Sequence, residues 1–204
     1  MKATVLIVAA IAAILFTTTL AGASSAMWTF ATSDNPASAT GVVNPWGAPT
    51  AAINVDADSG TGWYDTVPEY GSAQGWWDIG FGSIVLTLPG ATELTSQVAG
   101  ILALDVIYWN DLSQAPTVTI ESGATLLSKD TVLVEAGPVM GGWYKDSYLW
   151  EVALRNAPQT ITITGDQLSG SQIDQINVTP EPSGIIALCT GIFGLVGLTR
   201  RRRA

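Results

Sequence analysis

Apolar and polar residues alternate at every second position in several segments between residues 24 and 179. In PTVTIE, Val118 and Ile120 fall on one side, with Thr117, Thr119 and Glu121 on the other. QTITITG repeats the arrangement, with Ile161 and Ile163 against Thr160, Thr162 and Thr164. Ile84, Leu86 and Leu88 share a face of GSIVLTLPG, and Tyr148, Trp150, Val152 and Leu154 share a face of SYLWEVAL. Successive side chains of a strand point to opposite sides of a sheet, so each segment predicts a strand with one buried face. ILALDVIYW (101–109) is apolar on both faces and predicts a central strand, in which Asp105 needs a partner if buried. Further strands are expected over 28–32, 51–55, 131–135 and 172–178. No stretch of this body sustains a helical period. About nine short strands in this length predict an all-β fold, a single β-sandwich with a jelly-roll-like strand order.

The two ends break the alternation. After Lys2, residues 3–16 form an uncharged apolar run followed by small residues, the layout of a secretory signal peptide over 1–26. Two sites compete for cleavage, after Ala23 (Ala21-Gly22-Ala23) or after Ala26 (Ser24-Ser25-Ala26). An uncleaved N-terminal anchor is the competing reading, although the run falls short of the roughly 20 residues a spanning helix needs. At the other end, Pro180 and Pro182 stiffen Thr179-Pro180-Glu181-Pro182 into an extended peptide leaving the last strand. Residues 184–198 are uncharged and mostly apolar, a C-terminal transmembrane helix that covers only roughly 22 Å of a ~30 Å hydrocarbon core. Arg200, Arg201, Arg202 and Arg203 would hold its far end at the cytoplasmic headgroups.

Taken in order, PEPSG, the short apolar run and RRRRA resemble the C-terminal sorting signal of PEP-CTERM proteins. Bacteria that make extracellular polysaccharide export such proteins, and an exosortase processes them. The resemblance implies a sorting segment over 180–204, with Pro180, Glu181 and Pro182 as its recognition element and the four arginines as its stop-transfer anchor. It further implies an exosortase-type partner, a membrane-anchored precursor, and delivery to the cell surface or extracellular matrix. An ordinary tail anchor with incidental prolines is the alternative. GSQIDQINV is similar to the final strand of galactose-binding-like sandwiches, where an aspartate sits between apolar residues. The body between the two end segments is then one domain, residues 27–179.

Charge narrows the chemistry. All seventeen acids lie between Asp34 and Glu181, against the three bases Lys129, Lys145 and Arg155, a net charge of −14. Nucleic acid is excluded as a partner, since its affinity depends on Lys and Arg replacing counterions. The chain has no histidine, and its one cysteine, Cys189, lies in the C-terminal apolar run. Neither a Ser-His nor a Cys-His nucleophile is available, so no catalytic residue is assigned and no enzyme activity is expected. The rival expectation is a matrix-acting carbohydrate-active enzyme using paired carboxylates in a cleft.

Two motifs stand out as candidate binding chemistry. Gly-Trp-aromatic units recur at GWYD, GWWD and GWYKD, bringing Trp63, Tyr64, Trp76, Trp77, Trp143 and Tyr144. Adjacent residues of a strand face opposite ways, so one ring of each pair can fill the core while the other faces out to stack on a sugar of an extracellular polysaccharide. The competing reading is that all six fill the sandwich and its rim. In NVDADSGTGWYD, Asn54, Asp56 and Asp58 alternate and Asp65 falls near the twelfth position of a Ca²⁺ loop. Gly60 comes one place late for such a loop, and a solvated acidic turn reads equally well.

Overall fold

The computed structural model describes residues 25–42, 48–56, 60–89, 98–110, 115–121, 123–138, 141–154, 158–166 and 170–181. The stretch through residue 24, where a signal peptide is expected, and the tail from Pro182 through Arg200, Arg201, Arg202 and Arg203, lie outside the described residues, as does Asp58. No helix among the described residues is long and apolar enough to cross a membrane.

The fold is all-β. In chain order the strands are β1 (Ala26–Trp28), β2 (Ala37–Ser38), β3 (Gly41–Val42), β4 (Thr50–Asn54), β5 (Gly62–Tyr64), β6 (Trp76–Gly80) and β7 (Ser83–Leu88). They continue with β8 (Val98–Asn110), β9 (Thr117–Ile120), β10 (Thr125–Ala136), β11 (Gly142–Leu154), β12 (Gln159–Thr164) and β13 (Ser171–Glu181). A single 3-10 turn, Pro68–Tyr70, lies between β5 and β6. Two antiparallel sheets result. The first runs β10-β11-β8-β13-β1-β3, with β6 also pairing to β13 and carrying β5. The second runs β2-β4-β7-β12-β9.

The alternation in sequence sets which side chains meet between the sheets. Across the second sheet Ile84 pairs with Ile163 and Ile53, while Leu86 pairs with Ile161 and Ala51. These six side chains are almost wholly buried. They join Leu102, Leu104, Val106, Tyr108, Tyr148, Trp150, Val152, Ile173 and Ile176 of the first sheet in one core cluster. Complete burial of an aliphatic side chain contributes about 1.5–3 kcal/mol, so these rows hold the two sheets together. β8 is central, between β11 and β13, as its two apolar faces require.

One acid enters this core. Asp146 is fully buried, yet four groups reach its carboxylate. Lys129 Nζ lies 2.7 Å from Oδ2, where the Tyr148 hydroxyl also donates at 3.0 Å. Thr131 Oγ1 donates to Oδ1 at 2.7 Å and the Tyr108 hydroxyl at 3.3 Å. A buried charge survives only with such a set of partners. Burial, followed by the Asp146 charge and its hydrogen bonds, raises the pKa of both tyrosines, so they stay neutral donors well into the alkaline range.

Three expectations need correction. The strand expected over 28–32 stops at Trp28, because Phe30 turns to φ +47°, sparsely populated for a bulky residue. That turn places the Phe30 carbonyl where Trp63 Nε1 donates to it at 2.8 Å. β8 and β11 run 13 residues and β10 runs 12, so the main strands of the first sheet are long rather than short. Finally, β13 continues through Pro180 to Glu181, so this part of the Pro-Glu-Pro element prolongs the last strand instead of leaving it.

Candidate functional site: an aromatic layer and its cleft

The Gly-Trp units open β5, precede β6 and open β11, so all three lie in the first sheet. Registry then sorts their rings. Trp63 opposes Trp77, and Tyr144 opposes Tyr108, on the face turned toward the core. Tyr64 opposes Trp76, and Trp143 opposes Trp109, on the other face. These outward rings pack on one another and on Tyr70. Tyr64 stacks on Trp76 with centroids 4.5 Å apart. Edge-to-face contacts join Tyr70 to Trp76 and to Trp109 at 5.0 Å, and Trp109 to Trp143 at 5.4 Å. Such pairs contribute about 0.5–1.5 kcal/mol each beyond the area they bury.

The segment 65–74 straps this layer down. Its 3-10 turn starts at Pro68, whose fixed φ suits the first helical position. Trp143 Nε1 donates to the Tyr70 carbonyl at 2.5 Å. The Ser72 backbone N–H and hydroxyl both donate to the Glu135 carboxylate. Gly75 closes the strap at φ +75°, and its N–H donates to the Asp65 carbonyl at 2.6 Å. A Cβ on Gly75 would sit 2.5 Å from the Phe30 carbonyl oxygen, so only glycine fits before Trp76. Glycine is needed at Gly142 for another reason: a Cβ there would lie 2.6 Å from the Glu135 carbonyl oxygen, beside the bulge at Val134.

The exposed stacking platform expected of the six rings is therefore corrected. Trp76, Trp77 and Trp143 are buried, while Trp63, Tyr64 and Tyr144 are half-buried. Alternation did send one ring of each pair outward, but those rings bury each other beneath the strap. Among the candidate Ca²⁺ ligands, Asn54 and Asp65 are exposed and Asp56 is half-buried. The backbone of Asp56 is tied to Ile79 and to the Thr61 hydroxyl. No three Asp, Glu, His or Cys side chains gather to hold a metal among the described residues.

Where the strap ends, a cleft of about 340 Å³ opens on this outer face. One wall is Ser72, Ala73 and Gln74, and the other is Val134 and Glu135 of β10. Ile107 of β8, Trp143 of β11 and Asp174 of β13 complete the lining. Four strands and the strap thus bring apolar and polar groups together in a volume typical of small-ligand sites. Burial raises the pKa of Asp174 from the usual 3.8 to about 6. Asp78 of β6, paired across to Gln172, is also raised by burial, partly offset by hydrogen bonds from the Gly80 N–H and from Gln172. On the same sheet face Asp105 finds the partner its position calls for, since Ser147 Oγ donates to it at 2.6 Å.

Of the lining, only Trp143 belongs to the residues that sequence singled out as binding candidates. Asp174 is the aspartate of GSQIDQINV, noticed for its setting between apolar residues. Glu135, Gln74 and Ser72 carried no local signal, because strand pairing across distant segments brings them together. One sequence feature did point here: Ile107 and Trp109 lie on the phase of β8 opposite to Leu104 and Val106, so its second face also needed a cover. Compared with known proteins, the chain matches no family model, no curated protein and no solved structure.

Proposed function

We propose that the chain is an exported cell-surface or extracellular-matrix protein, sorted by a PEP-CTERM-type tail, whose sandwich body associates with glycan through the outer-face cleft. The observation that carries the glycan reading is the cleft itself, where Ile107 and Val134 offer apolar surface over the nearly buried Trp143, and Gln74, Glu135 and Asp174 offer polar groups. The order PEPSG, apolar run, RRRRA supports the sorting reading, with an exosortase-type enzyme as processing partner and the membrane as a transient anchor. A jelly-roll-like order belongs to the same proposal. It is supported by the way the chain passes back and forth between sheets, β7 to β8 to β9 to β10 and β11 to β12 to β13.

One observation favours a second reading, a carbohydrate-active enzyme. Glu135 and Asp174 line the same cleft, and a carboxyl with a pKa of about 6 is suited to proton donation near neutral pH. Binding outweighs it here, because both donors of Ser72 hold the Glu135 carboxylate. Incubation with bacterial extracellular polysaccharide tests the choice. Saturable binding without new reducing ends is the expected result, whereas turnover that disappears in Asp174→Asn would establish the enzyme. Mass spectrometry of the released protein tests the sorting reading, which requires loss of the arginine cluster and accumulation of precursor in Glu181→Ala.

A further inference from the structure

The cleft has many hydrogen-bond acceptors and few donors. Trp143 spends its one side-chain donor on the Tyr70 carbonyl. Ser72 commits its hydroxyl and its backbone N–H to Glu135. Among the described side chains of the lining, this leaves the amide nitrogen of Gln74 as the one free donor. Against it stand both oxygens of Asp174, which receive no hydrogen bond from the described residues, and the spare lone pairs of Glu135, Ser72 and Gln74.

Among the described residues the lining itself holds no cation, and the one beside it on this face is Lys145, cross-strand from Ile107. Lys145 sits 3.9 Å from Asp105, and Lys129 is held by Asp146 on the inner face. From the elements packed around Asp174, β8 presents Ile107 with Asp105 on the same face, β11 presents Trp143 with Lys145 on the same face, and the strap presents Ser72, Ala73 and Gln74. Glu135 of β10 is the other ionisable group lining the cleft, and Asp78 of β6 lies behind Gln172. With Asp174, Glu135, Asp78 and Asp105 against the single Lys145, an anionic ligand would meet an excess of negative charge here. A neutral hydroxyl can donate one hydrogen, but an ammonium donates up to three and cancels charge as well.

We propose that the cleft selects saccharides carrying a free amine, an ammonium-bearing amino sugar, over their N-acetylated, neutral and acidic counterparts. This rests on the reading of the cleft as a glycan site. The apolar wall of Ile107 and Val134, backed by the edge of Trp143, takes the sugar carbons while the ammonium meets Asp174, Glu135 and the Gln74 carbonyl. Selectivity therefore follows pH. Asp174 ionises as pH rises through about 6, so preference for the amine strengthens between pH 5 and pH 7.

The test uses the full chain in detergent and four disaccharides: diglucosamine, its diacetylated form, cellobiose and digalacturonate, each by calorimetry at pH 5 and pH 7. The inference expects diglucosamine to bind at least tenfold tighter than the other three at pH 7. That margin should shrink at pH 5 and vanish in Asp174→Asn and in Glu135→Gln, with near-ultraviolet circular dichroism unchanged. Equal affinity for diglucosamine, its diacetylated form and cellobiose would overturn the amine selectivity and leave the glycan reading standing. Binding of none of the four would overturn both. An amine preference that persists in both variants would place it on the acidic surface at large and overturn the cleft as its seat.

Discussion

The two faces of the first sheet bury their side chains by different means. On the inner face, aliphatic rows of β8, β11 and β13 meet a second sheet built of the same kind of rows, and the contact is continuous. On the outer face no second sheet lies among the described residues. There Trp76, Trp109 and Trp143, with Tyr64 and Tyr70, cover one another, and a strap of about ten residues is tied over them by two side chains, Trp143 and Glu135. Where the outer strap ends, its last residues and the sheet beneath form a cleft. A partial cover creates a site that a complete one would fill.

The sharpest way to break this comparison is to cut each face in turn. Ile84→Ala removes a fully buried side chain between Ile53 and Ile163, and should cost about 4 kcal/mol in urea unfolding. An effect below about 1 kcal/mol would mean that the aliphatic rows do not carry the sandwich. Next in size is Lys129→Ala, which leaves the Asp146 charge in the core with neutral donors only. Its cost should be about 3 kcal/mol, at the low end for a broken buried pair because Lys129 is itself about a third exposed.

On the outer face the sign reverses at one residue. The folded pKa of Asp174, about 6, lies above its usual 3.8, so the folded state holds that proton more tightly than the unfolded chain does. Its contribution is therefore most favourable below about pH 4 and is lost as pH rises through about 6. Asp174→Asn should stabilise the protein by about 2 kcal/mol at pH 7, after discounting for partial solvation, and by nothing at pH 3. A variant equally stable with wild type at pH 7 would show that Asp174 is well solvated. The smallest effect is expected of Glu135→Ala. It should lower global stability by about 1 kcal/mol, yet open the 65–74 strap to limited proteolysis at a rate the core variants do not match.

Much of the inner face was legible in the chain. PTVTIE, QTITITG and GSIVLTLPG became β9, β12 and β7 with their expected faces inward, because period-two alternation of aliphatics reports a half-buried strand directly. β5 and β6 entered the sequence reading only through their paired rings, since glycine and aromatics dominate them and no aliphatic alternation marks them. β2 and β3, two residues each, are too short to leave a pattern. Asp146 shares the phase of Tyr148 and Trp150, but its partners come from β8 and β10, and local sequence does not name them. The aromatic units show the same limit. Alternation says which ring of each pair turns outward, but only the path of the 65–74 strap decides whether it meets solvent.

Hydrogen exchange on the full chain, with and without a bound saccharide, tests most directly whether the outer-face cleft is the working site. The account predicts that a saturating sugar slows exchange at the backbone amides of Ser72, Ala73 and Gln74 and of Val134 and Glu135, and leaves β4, β7 and β12 of the second sheet unchanged. Protection confined to the second sheet, or unchanged exchange along the strap at saturation, would contradict it.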